Sequence, residues 1–338
     1  MRGILGRGAP AFDSGQAPFD KQREESVGDI IDIAIVGGGP AGLTAAIYGA
    51  RARVKTVVFE TGLPGGQIVS ASWVENYPGF PDGITGQALA DLMYRQAENA
   101  GADFRTISPV EAIRAEGSDY VLSVGGEEVG AHAVILATGA IPKKLGIPGE
   151  SEFTGRGVSW CATCDGPLYR DKVVAVVGGG DSATQEAIYL AKIAKEVHLI
   201  HRRDELRATE CLQEQCFFNP QIVMHLSHVA EEILGDGGRL TGVRLRSKAD
   251  ESEMVLPVDG MFEFVGIDAQ SGLVADLCEL DELGFVKVDP DGLTSRTGLY
   301  AAGDVSNYKL KQVVTACARG AFAVYHAVHY LETRVGAA

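Results

Sequence analysis

The sequence predicts an α/β protein with two nucleotide-type units, the second inserted in the first. Three observations predict it: a strand, glycine turn and helix at "IDIAIVGGGPAGLTAAIYGAR", the same pattern again at "KVVAVVGGGDSATQEAIYLAK", and a closing stretch, "GLYAAGD", in the style of the first unit. A chain of 338 residues has room for about two domains. Its 43 glycines suit a fold with many tight strand-to-helix turns.

Composition excludes several classes of partner. Asp plus Glu outnumber Lys plus Arg by 45 to 30, so polyphosphate backbones and anionic membranes are repelled, and neither nucleic acid nor a membrane is an expected partner. Six unevenly spaced cysteines do not make the dense framework of a small secreted domain, and a reducing, cytoplasmic setting is expected. Residues 1–28, rich in Gly, Ala, Pro and charge, read as a flexible leader without the apolar core of a signal peptide.

The first unit, residues 29–145, opens on a buried-strand run from Ile31 to Val36 and turns into a helix at Pro40. Gly37, Gly39 and Gly42 have the G-x-G-x-x-G spacing. The first two let the backbone turn and approach a pyrophosphate, the third lets helix and strand pack closely, and the helix start faces the anion. The second strand, "KTVVFE", ends in Glu60, where an acid accepts hydrogen bonds from a ribose diol. The same unit contains "LATGAIP", a strand ending in Thr138 and Gly139.

The second unit, residues 146–267, repeats the motif with Gly178, Gly180 and Ala183, but its second strand runs into His201, Arg202, Arg203 and then Arg207. Guanidinium groups cannot accept from a ribose diol and can pair bidentately with a 2'-phosphate. If two arginines each contribute about 1.5–3 kcal/mol, NADPH is preferred over NADH by about a hundredfold to ten-thousandfold. An acid in one cradle and arginines in the other point to two different dinucleotides, FAD and NADPH. In the last stretch, residues 268–338, Asp304 at a strand end is placed to hold the flavin's ribityl chain, and a helix beginning near Lys311 would bring Gln312 and Val313 to a reduced ring. The domains are therefore two Rossmann-like folds, the NADPH domain inserted in the FAD domain.

The second unit also carries "CATCDG", with Cys161 and Cys164 three positions apart and Asp165 beside them. A structural zinc site needs four ligands, and no second C-x-x-C exists; Cys211 and Cys216 are spaced C-x4-C on an expected helix, and His225 and His228 suit ordinary packing. A structural disulfide closing so short a loop constrains the unfolded chain little. Redox chemistry remains: one thiol held partly as thiolate, Asp165 moving the proton, and a flavin between a hydride donor and the thiols.

At this point the segments "GGGPAGLTAA", "GGQ", "VENYPG", "ATGA", "CATCDG", "GGGDSA", "HLIHRRDELRA" and "AAGD" together resemble low-molecular-weight thioredoxin reductase from about residue 30 onward. The resemblance implies FAD held by the first and last segments, NADPH by the inserted domain, thioredoxin as the disulfide substrate, and a homodimer. It also implies roles: Cys164 facing the flavin, Cys161 attacking thioredoxin, and Asp165 as acid-base partner. Flavin contacts would come from Gly37, Gly39, Pro40, Ala41, Gly42, Glu60, Gly66, Gln67, Asn76, Gly139, Asp304, Gln312 and Val313. Nucleotide contacts would come from Gly178, Gly180, Asp181, Ser182, Ala183, His201, Arg202, Arg203 and Arg207.

Thirteen residues separate Cys164 from Gly178, so dithiol and nicotinamide are expected in one domain that rotates on linkers near residues 143–148 and 266–272. Three departures from the family pattern stand out: Gln185 before Glu186 where two acids are usual, "VGIDAQSG" where a Pro-Asn pair is usual, and Lys311 for a common Arg. A flavin dithiol oxidase would need no arginine cluster, and a nucleotide-sensing redox switch would show no steady turnover; both are weighed against the reductase.

Overall fold

The computed structural model describes residues 30–71 and 73–335; the leader expected over residues 1–28 lies outside them. The first strand, β1 (Ile31–Val36), is almost wholly buried, and Pro40 opens α1 (Pro40–Arg51) at a position where its missing N–H costs nothing. Strand β2 (Thr56–Phe59), helix α2 (Gly86–Ala100) and strand β3 (Asp103–Arg105) follow. A three-stranded meander comes next, β4 (Val110–Glu116), β5 (Asp119–Val124) and β6 (Glu127–Leu136).

β6 joins these parts into one sheet because it is long enough to change partners. Its first half pairs antiparallel with β5, its second half pairs parallel with β1 along one edge, and the other edge of that half receives β17 (Leu299–Ala301), from the far end of the chain, in parallel register. The order β3-β2-β1-β6-β5-β4 with β17 on β6 thus contains both the opening and the closing segments of the sequence.

Between them lies the insertion. It is entered through β7 (Ala140–Pro142) and the turn α3 (Glu150–Phe153), followed by β8 (Val158–Ser159) and the short helix α4 (Ala162–Asp165). Then come β9 (Val173–Val177), α5 (Asp181–Leu190), β10 (Glu196–His201), α6 (Glu210–Phe217) and β11 (Ile222–Leu226). The antiparallel strands β12 (His228–Gly235), β13 (Leu240–Ser247) and β14 (Glu253–Pro257) precede β15 (Gly260–Glu263) and the exit strand β16 (Ile267–Ala269). A parallel sheet, β11-β10-β9-β15-β8, forms the body of the insertion, with β12-β13-β14 against it.

The two crossings pair with each other. β7 and β16 form an antiparallel ribbon, Pro142 opposite Ile267 and Ala140 opposite Ala269, extended by the Lys143 N–H donating to the Gly266 carbonyl at 3.0 Å. The crossing is thus centred a few residues before the first linker expected from sequence.

α7 (Val313–Val335) closes the molecule on α1, and small residues on both helices set the distance. Ala41, Ala45 and Ala46 of α1 share a core with Ala316, Ala323 and Ala327 of α7, and a methyl group on Gly320 would overlap the Ala41 carbonyl oxygen. Gly320→Ala is expected to destabilise the protein by about 1–3 kcal/mol, because backbone rather than a movable side chain stands in the way. Urea titration should show a lower midpoint with an unchanged slope.

Candidate functional site

Each glycine motif does two separable things. At Gly37 the backbone has φ +110°, and a side chain would overlap the Ala137 carbonyl. A methyl on Gly42 would strike the Gly37 carbonyl, which explains the first and third glycines by packing alone. Gly39 is different. Its methyl would meet nothing closer than the Gly66 Cα at 3.8 Å, and the equivalent methyl on Gly180 would meet nothing at all. Both residues have φ in the range open to any amino acid and sit immediately before a helix, so packing within the described chain does not require glycine there, and each helix start is open to an anion.

The surroundings of the first cradle suit a flavin dinucleotide. Glu60 is fixed at the end of β2 by the Gly38 and Gly62 amides, which donate to its carboxylate oxygens at 2.6 and 2.8 Å. Pro40 and Ala41 open α1, and Gly66 lies directly against Gly39. Gln67 donates to the Ala140 carbonyl at the start of the crossing ribbon, beside Gly139. Asp304 follows β17, and burial raises its carboxyl above the usual range against the opposing pull of Lys311.

α7 starts at Val313, after the Lys311 at which sequence placed it. Lys311 is turned back over the Phe285 ring and donates to the Asp304 and Ser306 carbonyls at 2.9 and 2.5 Å, holding the strand end instead of joining the helix. Gln312 is thereby left projecting in front of α7. Asn76 donates to its Oε1 at 3.0 Å, so two of the expected flavin residues meet.

The dithiol meets the same glutamine. Cys161 and Cys164 are disulfide-bonded, Cys161 just before α4 and Cys164 within it. Gln312 Nε2 donates to Thr163 Oγ1 at 3.1 Å and lies 3.7 Å from the Cys161 sulfur, and Gln312 Oε1 lies 3.9 Å from the Cys164 sulfur. The inserted domain thus presents its dithiol to the residue that precedes α7.

Asp165 sits behind the disulfide. Burial raises its carboxyl above the ordinary range, opposed by the Ser159 hydroxyl, which donates to Oδ2 at 2.6 Å. Ser159 also accepts the Cys161 N–H at 3.1 Å and so links the acid to the thiol's backbone. Ser159 and Thr163 escaped sequence reasoning, although a hydroxyl residue two positions before the dithiol is a readable signal.

The second cradle lies in the same domain. Gly178 has φ +155° and packs against the Phe264 carbonyl; Asp181 is tied down by the Thr209 amide at 2.8 Å, while Ser182 is exposed and Ala183 buried. Arg202, Arg203 and Arg207 are exposed, and none forms an ion pair with a described residue. His201 is buried with Nε2 unpartnered; burial first, then the three arginines, pushes it below its ordinary range. Glu186 has an unpartnered buried Oε2, and burial raises its carboxyl. Free guanidinium groups and orphaned polar atoms around a cleared helix start fit a phosphorylated nucleotide.

Neither remaining cysteine pair nor histidine pair competes. On α6, Cys211 is exposed and Cys216 buried, so they point apart, and His225 accepts or donates across 2.9 Å to His198 on the neighbouring strand. Among the described residues no group of three or more His, Cys, Asp and Glu gathers to hold a metal.

With this geometry in view, the comparisons with known proteins are specific. The profile of the pyridine nucleotide-disulphide oxidoreductases matches residues 31–320. The chain is 43% identical over 304 residues to the thioredoxin reductase of Listeria innocua, covering 90% of this chain and 94% of that protein. It superposes on the crystal structure of thioredoxin reductase from Streptococcus pyogenes with a TM-score of 0.86 at 39% identity, covering 90% and 99% of the two chains. On the Lactococcus lactis thioredoxin reductase crystallised in its FR conformation the TM-score is 0.62 at 37% identity, with the same 90% and 99% coverage.

The raised carboxyl of Asp165 has a consequence for stability. Its folded-state pKa lies above the unfolded one, so its contribution is fully present below the ordinary carboxylate range and is lost as pH rises through the raised value. Asp165→Asn should therefore gain stability relative to the parent at pH 7, and the gain should vanish near pH 3. Urea midpoints at the two pH values check this.

Proposed function

The chain belongs to the thioredoxin reductases of the pyridine nucleotide-disulphide oxidoreductase family, and from that premise we propose that Cys161 and Cys164 are its redox pair, Asp165 its proton carrier, and the two glycine cradles its FAD and NADPH sites. The protein is a flavoprotein disulfide reductase, with NADPH as donor and a thioredoxin disulfide as acceptor. FAD, when bound, supplies the two-electron link between nicotinamide and disulfide. One observation carries the assignment of residues: the Cys161–Cys164 disulfide of the inserted domain lies against Gln312, which the other domain holds in front of α7 beside Asn76.

The chain's own groups then divide the work. Two electrons and two protons convert the disulfide to two thiols, and the proton route runs over Asp165, whose burial and Ser159 contact set its affinity. The Cys161 sulfur accepts the Cys164 N–H at 3.2 Å, a contact that favours a thiolate there. That thiolate attacks the thioredoxin disulfide, forming a mixed disulfide and releasing one thioredoxin thiolate, which takes up a proton. Cys164 then displaces the second thioredoxin sulfur and restores the Cys161–Cys164 bond.

The second cradle supplies specificity. Arg202, Arg203 and Arg207 stand free to bind a 2'-phosphate, which favours the reductase over a dithiol oxidase that has no need of them. Because cradle and dithiol share one domain, they reach the flavin in turn, and that domain must swing on the β7–β16 ribbon. The fall in TM-score from 0.86 to 0.62 between two relatives of nearly equal identity and coverage supports two domain placements in such chains.

We further read the protein as a homodimer. Supporting this, Val314, Phe322 and Tyr325 form an exposed apolar row along α7, with Tyr48 of the neighbouring α1 also exposed. Four free cysteines beside the redox pair suit a cytoplasmic, reducing setting. No helix among the described residues is long and apolar enough to cross a membrane.

The purified protein with FAD should lose its absorbance near 450 nm on adding NADPH and sustain thioredoxin reduction. Cys161→Ser and Cys164→Ser should each abolish thioredoxin reduction while leaving flavin bleaching intact; bleaching failure in the parent, or turnover without the cysteines, would refute the assignment. Arg202→Ala combined with Arg203→Ala should raise KM for NADPH by about a hundredfold or more and leave KM for NADH little changed, as steady-state kinetics would report.

A further inference from the structure

Behind the dithiol, two carboxyl groups are buried together. Glu150 and Glu263 are each 2% exposed, and Glu150 is close enough to raise the Glu263 carboxyl. Oε1 of each is buried with no hydrogen-bond partner among the described residues. Two carboxylates cannot bond to each other, since both only accept; one proton between them satisfies both orphaned oxygens at once.

The remaining oxygens point to different parts of the domain. Glu150 Oε2 accepts the Gly146 and Ile147 amides at 2.6 and 3.3 Å, which fixes the chain just after the first crossing. Glu263 Oε2 accepts Trp160 Nε1–H at 3.1 Å, and Trp160 is bonded directly to Cys161. Glu263 also ends β15, three residues before Gly266, whose carbonyl joins the crossing ribbon. The pair therefore lies where both crossings and the dithiol loop converge.

We propose that Glu150 and Glu263 share one proton as a clasp that positions the dithiol loop against the first crossing, and that thiol–disulfide exchange at Cys161–Cys164 slows when the proton leaves. Glu263 is a positioning residue, acting through Trp160. Loss of the proton places two charges face to face in a buried site, so Glu150 goes with the crossing and Glu263 with the indole. The inference rests on the reading of Cys161 and Cys164 as the redox pair.

Among the described residues, no cation is one of the groups that shift the Glu263 carboxyl. The Leu145 amide favours the charged form of Glu263 only weakly against burial and Glu150, which together push its pKa up to about 8. Lys144 stands over the Trp160 ring, 5.8 Å from its centroid. The neighbouring strands β8 and β9 contribute Val158, Ser159 and Val177, none ionisable here. Arg244 and Arg246 of β13 are committed to Glu232, Glu253, Glu231 and Glu251.

The chain has two tryptophans, so FAD-loaded protein labelled with 5-fluorotryptophan should give two fluorine resonances, assigned through Trp73→Phe. The Trp160 resonance is expected to shift with a midpoint near pH 8, and the clasped fraction and the kcat for thioredoxin to fall about tenfold together between pH 7 and 9. Glu263→Gln can donate to Glu150 and accept from Trp160 at every pH, so both changes should disappear. Glu150→Gln should move the midpoint well below 8, a second test if the first variant folds poorly. A Trp160 resonance flat from pH 6 to 9.5 while turnover is normal overturns the clasp and leaves the dithiol assignment standing. A transition that survives in Glu263→Gln overturns it as well.

Discussion

Everything in this molecule that concerns electron flow is constrained by one short ribbon. β7 and β16 carry the chain into and out of the inserted domain, and three residue pairs hold them together. Ala162 of the dithiol loop shares a single buried core with Val174, Ala183 and Leu190 of the nucleotide unit, so disulfide and cradle cannot move independently. On the proposed assignment, what brings one of them to the flavin takes the other away. Such an exchange would be absorbed by backbone torsions at the ribbon, because close-packed domain interiors do not deform continuously.

The same domain buries an unusual set of ionisable groups. Asp165, Glu186, Glu263 and His201 are all pushed toward their uncharged forms, in each case mainly by burial. The flavin-side domain shows the effect at Asp304, next to Lys311. A low-dielectric environment that favours neutral groups also makes each one responsive to a partner that supplies or removes charge. A nucleotide phosphate, a thiolate and a shared proton are such partners.

How far the chain could be read without coordinates depends on the range of the interaction involved. Gly37, Gly39 and Gly42, the closing Glu60, the arginines after β10 and the Cys161–Cys164 spacing are local patterns: a few neighbouring residues contain both the turn and the chemistry. The nesting of one domain in the other was also legible, because segments of one style appear on both sides of the second motif. What spacing could not reveal was register and approach. A helix is expected from near Lys311, and α7 begins at Val313, with the Lys311 ammonium folded back onto the Asp304 and Ser306 carbonyls.

The sequence by itself thus determined the fold class, the two glycine turns before helices and the close spacing of Cys161 and Cys164, since each depends on residues a turn or a strand apart. Tertiary structure alone decided that Gln312 meets Thr163 and the disulfide, and that Glu150 and Glu263 are buried near each other. The partners in both lie more than a hundred residues apart, and no periodicity relates them. They come together only because β17 pairs with β6 and β15 lies between β9 and β8, placing side chains by sheet order where spacing along the chain has no say.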